Sequence, residues 1–243
     1  MVDPRTSVIG ERLSRVRRIV AVSSGKGGVG KSIVATTLAL SLARDGCKVG
    51  LFDLDFTGPS THIILNVPKI QPKEEKGIVP PTVHGLEYMS LIYFVGDNFA
   101  PLRGADISNA LIELLAITQW GELDFLIIDM PPGISDAILD LIRFIMRVEF
   151  LIVTTSSLLA FETVKKQVSL LIELQTSIIG VVENMKMAKT DNIQMEAKKM
   201  GLKYLGAILF DPKVEAAIGD TAKLLDTAAG KNIKQIIPKN FLE

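Results

Sequence analysis

A glycine-rich segment near the start of the chain carries two lysines at a spacing typical of phosphate binding. Residues 23–32 read SSGKGGVGKS, and four of them fit the pattern G-x-x-x-x-G-K-S/T: Gly25, Gly30, Lys31 and Ser32. In this pattern glycines let backbone N–H groups converge on phosphate oxygens. The lysine reaches the β- and γ-phosphates, and the hydroxyl residue binds Mg²⁺. The second lysine, Lys26, is not needed for this pattern and requires another role.

The segments on either side of the loop are those that a phosphate loop requires. An apolar, β-branched run at 18–23 predicts a buried strand. After the loop, apolar residues recur at helical spacing: Val34, Ala35, Leu38, Ala39, Leu42 and Ala43. The N-terminus of that helix adds unpaired N–H donors and a partial positive charge. This strand–loop–helix order argues against a glycine-rich turn without a ligand.

Aspartates follow two further buried strands. The runs at 49–53 and 125–129 end in Asp53 and Asp129, and Asp55 comes two residues after the first. A carboxylate at the end of an apolar strand can hold Mg²⁺ through water. We predict this metal role for Asp129, a water-positioning role for Asp55, and support of Mg²⁺ or of the loop lysine for Asp53. Helix caps and turns remain the alternative, because Asp favours such places.

Strands alternate with amphipathic helices along the chain, which predicts a three-layer αβα fold with a doubly wound, mostly parallel sheet. Ligands of such sheets bind beyond the carboxyl ends of the strands. We therefore expect the loops after residues 23, 53, 129 and 182 to converge, and the Gly133 N–H to sense the γ-phosphate. Residues 66–104 predict an irregular surface excursion. The expected domain is single, 1–243, with an N-terminal arm at 1–18 and a C-terminal tail at 226–243.

Composition points to an enzyme that binds neither nucleic acid nor a membrane. Lys and Arg together number 27, as do Asp and Glu, so net charge favours no charged partner surface. No uninterrupted apolar run reaches the length of a membrane span, and no secretory signal is expected, so a cytoplasmic protein is predicted. The basic cluster Arg12, Arg15, Arg17 and Arg18 predicts a solvated helix face, with a partner-docking arm as the alternative.

Taken together, these motifs resemble one class of nucleotide-binding proteins. Residues 26–32 (KGGVGKS) look like the deviant Walker A motif of the ParA/MinD/Mrp class of ATPases. Further stretches resemble its Mrp (ApbC-like) branch: 53–60 (DLDFTGPS), 102–104 (LRG), 120–124 (WGELD), 128–133 (IDMPPG) and 180–185 (GVVENM).

The resemblance implies ATP/ADP and Mg²⁺ as cofactors and a homodimer with nucleotide at the interface. Lys26 would reach across the dimer to the partner's phosphates, as an arginine finger does. Asn184 would read adenine, with Asp211 and Pro212 packed near the base. The resemblance thus implies Lys26, Lys31 and Asp55 as catalytic residues. The implied nucleotide-binding loop comprises Gly25, Lys26, Gly27, Gly28, Val29, Gly30, Lys31, Ser32 and Ile33.

Two features depart from this class. Ile33 stands where the family commonly has a hydroxyl residue, so that hydroxyl is lost to the α-phosphate, although backbone N–H groups remain. Members that carry iron–sulfur clusters place a C-x-x-C pair soon after the Glu-Asn-Met stretch, whereas 186–191 contains no cysteine here. The one cysteine, Cys47, precedes the second strand and is expected to be a packed or surface thiol. A cysteine-free Mrp-like chain resembles the archaeal ATPase-type HypB proteins, which assist the nickel chaperone HypA.

Three functions follow from these expectations. The favoured one is a dimeric ATPase that switches a metallochaperone or apo-metalloprotein partner for nickel insertion, with the iron–sulfur carrier ATPases of the Mrp family as the alternative. A MinD/ParA-type positioning protein is a second class, although Pro238 interrupts the terminal helix that could anchor to a membrane. A kinase or metabolic ATPase is a third, without a substrate motif to support it.

Overall fold

A single eight-stranded sheet lies at the centre of the computed structural model, which describes residues 4–95 and 104–236. The sheet order is β10-β9-β8-β1-β7-β2-β6-β5, and every neighbouring pair is parallel except β5 with β6. Strands β3 and β4 pair separately. The strands are β1 (Val16–Ser24), β2 (Val49–Asp53), β3 (Lys73–Glu74), β4 (Ile78–Val79), β5 (Thr82–Val83), β6 (Leu86–Ser90), β7 (Leu123–Asp129), β8 (Val148–Thr155), β9 (Ser177–Lys186) and β10 (Tyr204–Leu209).

Helices cover both faces of this sheet, which confirms the predicted three-layer, doubly wound fold. One face packs against α1, α5, α6, α7 and α8, and the other against α2, α3, α10 and α11. The helices are α1 (Arg5–Leu13), α2 (Lys31–Arg44), α3 (Thr61–Leu65), α4 (Ile92–Val95), α5 (Ala105–Ile117), α6 (Asp136–Phe144), α7 (Leu158–Glu173), α8 (Asn192–Lys199), α9 (Lys213–Ala216), α10 (Thr221–Asp226) and α11 (Ala228–Ile236).

The central strands are apolar on both faces because successive side chains enter opposite cores. In β1, Ile19 and Ala21 pack on the α5–α7 side, while Val20 and Val22 pack on the α2 side. This double burial explains the positive mean hydropathy of the chain, +0.34. Among the described residues, no helix is long and apolar enough to cross a membrane.

Strand order reverses direction at β1, which lies between β7 and β8. The chain passes from β1 to β2 on one side and later from β7 to β8 on the other. At such a switch point the loops beyond the carboxyl ends diverge and leave a crevice for a ligand. The loop that follows β1 is the predicted phosphate loop.

Two expectations about the periphery differ from the structure. The 66–104 excursion contains a regular element, because β6 extends the sheet beside β2. The basic cluster is not a uniform solvated helix face. Arg12 donates to the carbonyl oxygens of Lys76 and Ala116, which ties α1 to the excursion and to α5, and Arg18 lies in β1 and pairs with Glu149.

Some sequence motifs fall outside the described residues. They are Leu102 and Arg103 of the LRG stretch, the first three residues of the N-terminal arm, and residues 237–243 of the tail with Pro238.

Candidate active site

The phosphate loop occupies the turn between β1 and α2, as its sequence predicts. Gly30 has φ 77° in the left-handed region, and α2 begins at the next residue, Lys31. A side chain at Gly30 would also clash with the amide of Asn184. At the other end of the loop, a side chain at Gly25 would collide with Thr163 on α7. The glycines are therefore required by close packing as well as by backbone conformation.

A cavity of about 400 Å³ opens over this loop. Asp55 and Ser60 from the loop after β2 line its far side, and Pro132 lines it from the loop after β7. The loop residues around it are Lys26, Gly27, Gly28, Val29, Gly30, Lys31, Ser32 and Ile33. The cavity thus brings together the phosphate-loop residues and Asp55.

A second, mostly apolar cavity of about 240 Å³ adjoins the first, and Ile33 and Ile218 line both. It contains the three residues expected at the base: Asn184, Asp211 and Pro212. The side-chain amide of Asn184 donates to the Val29 carbonyl at 2.8 Å, so this residue also braces the phosphate loop.

Asp211 shapes the second cavity through its own backbone contacts. Its carboxylate accepts hydrogen bonds from the N–H groups of Lys213 at 3.0 Å and Ala228 at 2.7 Å, and so fixes the starts of α9 and α11. The backbone bond from Lys213 is the main cause that lowers the Asp211 pKa.

Lys31 joins the carboxylates of two different strand ends. Its Nζ lies 2.6 Å from Asp129 Oδ1 at the end of β7 and 3.6 Å from Asp55 Oδ2 after β2. The Ser32 hydroxyl lies 3.3 Å from the same Nζ. Burial raises the pKa of Asp129 above its usual range, although Lys31 opposes this shift. The predicted catalytic lysine and two predicted carboxylates therefore form one buried ionic group.

Asp53 is buried beside this group, and both of its carboxylate oxygens accept hydrogen bonds from residues of the loop that follows it. Its Oδ1 accepts from the Asp55 N–H at 3.0 Å, and its Oδ2 accepts from the hydroxyl and N–H of Thr61 at 2.6 and 3.3 Å. Burial, followed by the nearby charge of Asp129, raises the pKa of Asp53 to about 7. Asp53 and Asp129 are direct neighbours across the paired strands β2 and β7.

Asp55 has one oxygen held by its loop and one facing Lys31. The Oδ1 atom accepts from the Thr57 hydroxyl at 2.7 Å and from the N–H groups of Thr57 and Gly58 at 3.3 and 3.2 Å. The Oδ2 atom is on the Lys31 side. This leaves the carboxylate fixed at the edge of the phosphate-loop cavity.

The Gly133 N–H has different surroundings from those expected, while the role predicted for Lys26 stays a prediction. The Gly133 N–H donates to the Ser24 carbonyl at 2.8 Å, so it is committed to the end of β1 and does not point freely toward a phosphate. Lys26 is exposed, and its carbonyl accepts from the Ser24 hydroxyl at 3.0 Å. Lys26 is thus accessible to solvent while it also lines the phosphate-loop cavity.

Sequence reasoning missed several residues of the site, among them Thr61, Glu215 and Ile218. Thr61 contacts Asp53, while Glu215 and Ile218 lie between the two cavities. The only sequence signal for Thr61 was its place at the start of a short helix after the Asp53 loop.

Cys47 lies at the opposite end of the sheet from the phosphate loop. It follows α2 and precedes β2, whose carboxyl end carries Asp53. The fourteen residues of α2 alone separate the two ends by about 20 Å. Across 4–95 and 104–236, no three His, Cys, Asp or Glu residues gather as a metal site.

Sequence relatives of this chain handle iron–sulfur clusters according to their names. An "iron-sulfur cluster carrier protein" of Methanococcus maripaludis is 36% identical over 256 aligned positions, covering 98% of this chain and 89% of the relative. One from Pseudomonas fragi is 43% identical over 179 residues, covering 71% of this chain and 62% of the relative. The chain therefore spans less than two thirds of the Pseudomonas protein. These names do not support the predicted likeness to HypB or a nickel role.

Solved structures share the same fold. A nucleotide-binding protein of Archaeoglobus fulgidus in complex with ADP, with Co found, has TM-score 0.73 at 29% identity over 97% of this chain and 95% of its own. MinD of Pyrococcus horikoshii, complexed with Mg-ADP, has TM-score 0.68 at 19% identity over 90% and 93% of the two chains, and shows the fold alone. A family model described as NUBPL iron-transfer P-loop NTPase matches residues 15–241. With the phosphate loop in place and this model matching nearly the whole chain, the protein belongs to the ParA family of NUBPL iron-transfer P-loop NTPases.

Proposed function

We propose that this protein binds and hydrolyses Mg-ATP and uses the change of nucleotide to drive a step of iron–sulfur cluster transfer. The observation that carries the nucleotide part is the position of Lys31, whose Nζ is held between Asp129 and Asp55 at the floor of the phosphate-loop cavity. A phosphate bound in this cavity would contact Lys31, which also contacts Asp55 after β2 and Asp129 at the end of β7. Binding and loss of the γ-phosphate therefore change the partners of both carboxylates.

The residues present fit a Mg²⁺ ion at this site. In the described part of the chain, Asp129 Oδ2 is buried without a hydrogen-bond donor, and the Ser32 hydroxyl lies near the same lysine. Ser32 would hold the ion directly, and Asp129 would hold it through water, with Asp53 behind Asp129. When bound, the ion neutralises charge on the transferring phosphoryl group.

The chain's own residues supply the other parts of hydrolysis. The loop N–H groups and the start of α2 bind phosphate oxygens, and Lys31 neutralises their charge. Asp55, fixed by Thr57 and Gly58, orients the attacking water. The second cavity binds adenine against Asn184, Asp211 and Pro212.

Lys26 completes the site from a second copy of the chain in this proposal. Lys26 is exposed to solvent and also lines the phosphate-loop cavity, so its ammonium group is accessible to a second copy of the chain. In a homodimer that meets at this edge, each Lys26 approaches the partner's phosphates and stabilises charge in the transition state.

The iron–sulfur part of the proposal is carried by the relatives, which are named iron–sulfur cluster carriers. Clusters are held mostly by thiolates, and this chain contains one cysteine, remote from the nucleotide edge. The cluster is therefore the cargo of the step, with thiolate ligands supplied by a partner protein, while this chain supplies the nucleotide-driven change.

Two linked measurements test this function. Phosphate release from Mg-ATP is expected for the purified chain and is expected to be lost in Lys31→Ala. Transfer of a cluster from a loaded scaffold protein to apo-ferredoxin, followed by visible circular dichroism, is expected to be faster with the chain and ATP than with the chain and ADP. Transfer that is indifferent to the nucleotide would contradict the iron–sulfur role, and absence of phosphate release would contradict the ATPase role.

A further inference from the structure

Three buried side chains form a hydrogen-bonded chain behind the carboxylates of the site. The Thr61 hydroxyl, at the start of α3, lies 2.6 Å from Asp53 Oδ2 and 2.9 Å from the Tyr88 hydroxyl on β6. Thr61 and Tyr88 are completely buried, and Asp53 is 1% exposed. Each of the three side chains places a polar group inside the protein, so apolar packing alone does not explain their presence there.

The direction of the hydrogen bonds follows from the inventory of protons. A threonine hydroxyl has one proton, and when Asp53 is ionised Thr61 donates it to the Asp53 carboxylate. The second bond of Thr61 is therefore one that it accepts, so Tyr88 donates to it. Burial raises the pKa of the Tyr88 phenol, which keeps this donor protonated. The order is thus Tyr88 to Thr61 to Asp53.

Asp53, the acceptor at the end of this hydrogen-bonded chain, links the two ends of the loop that carries Asp55. One oxygen of Asp53 accepts from the Asp55 N–H, and the other accepts from Thr61, eight residues further along. Asp53 thereby ties the beginning of the 53–61 loop to its end. Without the Thr61 hydroxyl, Oδ2 would keep one N–H donor, at 3.3 Å.

We propose that Thr61 and Tyr88 are positioning residues for the Asp55 carboxylate, acting through Asp53. This inference rests on the proposed function, because Asp55 is the group that orients water there. It also gives a role to the 66–104 excursion, since β6 delivers Tyr88 to the back of the site. Removal of hydrogen-bonding partners one shell away from a reacting group commonly lowers activity about 10- to 100-fold.

Five variants test the role of the hydroxyl groups: two on the hydrogen-bonded chain, two matched controls and one conservative rescue. Thr61→Val removes the central hydroxyl with little change of shape, and Tyr88→Phe removes the outer donor. Thr37→Val and Tyr93→Phe make the same changes at buried hydroxyls that have no partner among the described residues. Thr61→Ser keeps the hydroxyl and serves as the conservative rescue.

The first readout is independent of ATP hydrolysis. Amide hydrogen–deuterium exchange of the nucleotide-free chain is expected to be faster across 53–61 in Thr61→Val and Tyr88→Phe, and unchanged there in both controls and in Thr61→Ser. Exchange in Thr61→Val that matches Thr37→Val overturns the proposal. If Thr61→Val does not fold, the comparison of Tyr88→Phe with Tyr93→Phe decides in the same way.

The second readout is steady-state ATP hydrolysis with Mg²⁺. We expect Thr61→Val to lower kcat by about 10-fold with little change in the Kd for ADP, and Thr61→Ser to retain most of the activity. The double variant Thr61→Val/Tyr88→Phe is expected to be no slower than Thr61→Val, because Tyr88 acts only through Thr61. Additive losses, or an equal loss in Thr61→Ser, overturn the proposal. If the unmodified chain releases no phosphate, the proposed function fails, while hydrogen exchange still decides the positioning role.

Discussion

Lys31 Nζ lies 2.6 Å from Asp129 Oδ1, so the lysine of the phosphate loop is ion-paired with the end of β7 inside the protein. Asp129 is completely buried, and Lys31 is 6% exposed. A buried pair of this kind makes the loss of one partner costly, because the other charge remains without compensation. The residue expected to bind phosphate is thus also part of the stability of the fold.

Lys31→Met is therefore expected to lower the free energy of unfolding as well as to abolish nucleotide binding. The expected loss at neutral pH is about 3 kcal/mol, the usual cost of breaking a buried ion pair. Urea unfolding measures it. Lys48→Met is the control, because Lys48 pairs with Glu122 at 3.6 Å with both side chains largely exposed and is expected to change stability little. Equal stability of the two variants would contradict the buried pair.

The contribution of Asp53 to the stability of the protein is expected to fall as the pH rises from about 4 to about 7. The pKa of Asp53 rises from 3.8 to about 7 on folding, so the folded state binds the proton more tightly than the unfolded state. In this window folding takes up a proton, and the slope contributed by Asp53 is at most about 1.4 kcal/mol per pH unit. Urea unfolding across this range is expected to show a smaller slope in Asp53→Asn. An unchanged slope would show that Asp53 does not titrate there.

Lys26→Ala is expected to keep nucleotide binding and lose hydrolysis that depends on the dimer. Lys26 is exposed to solvent, and an arginine finger supplied in trans, the role that Lys26 would take, raises kcat by about 10³-fold or more. Binding of a fluorescent ADP analogue and phosphate release at rising protein concentration separate the two effects. Lys198→Ala, at another exposed lysine on α8, is the matched control. Wild-type turnover in Lys26→Ala would refute the trans role.

Asp55→Ala is expected to accumulate an ATP-bound dimer. Without the carboxylate, water is no longer oriented for attack, while the phosphate loop and the Lys31–Asp129 pair remain in place. Light scattering after size-exclusion chromatography in ATP measures the dimer, with ADP as the comparison. Rapid hydrolysis by this variant would argue against the water-positioning role.

Anaerobic reconstitution with iron and sulfide is expected to leave the purified chain colourless. One cysteine per chain cannot supply the thiolates of a shared cluster. Visible absorbance and iron content after desalting measure the result, and Cys47→Ser is expected to behave identically. A stable brown dimer with stoichiometric iron would contradict the proposal that the cluster is held by a partner.

The parts of the fold that could be predicted from the sequence were those that depend on local pattern. The phosphate loop is contiguous in sequence, and the apolar patterns on either side of it indicate a strand and a helix. The position of Gly25 to Ser32 between them could therefore be predicted from the sequence. Strand β6 was missed because Leu86–Ser90 is short and follows a polar, proline-rich stretch at 69–81. Its burial comes from pairing with β2, which the local sequence does not encode.

The parts of the site that could not be predicted depend on contacts between distant segments. The commitment of the Gly133 N–H to Ser24, and of Asn184 to Val29, follows from the way that the strand ends meet. The role of Arg12 likewise depends on carbonyl oxygens of two remote segments. In each case the residue type indicated that a hydrogen bond could form, but the tertiary structure determined the hydrogen-bond partner.

The packing of Gly25 against α7 has a mechanical consequence. Because not even a methyl group fits between this glycine and Thr163, helix α7 cannot approach the sheet without displacing the first residue of the phosphate loop. The helix begins at Leu158, and Leu158 and Leu159 are exposed to solvent. Thr163 lies about one and a half helical turns from this exposed end, so one continuous helix joins the solvent-exposed leucines to the first residue of the phosphate loop.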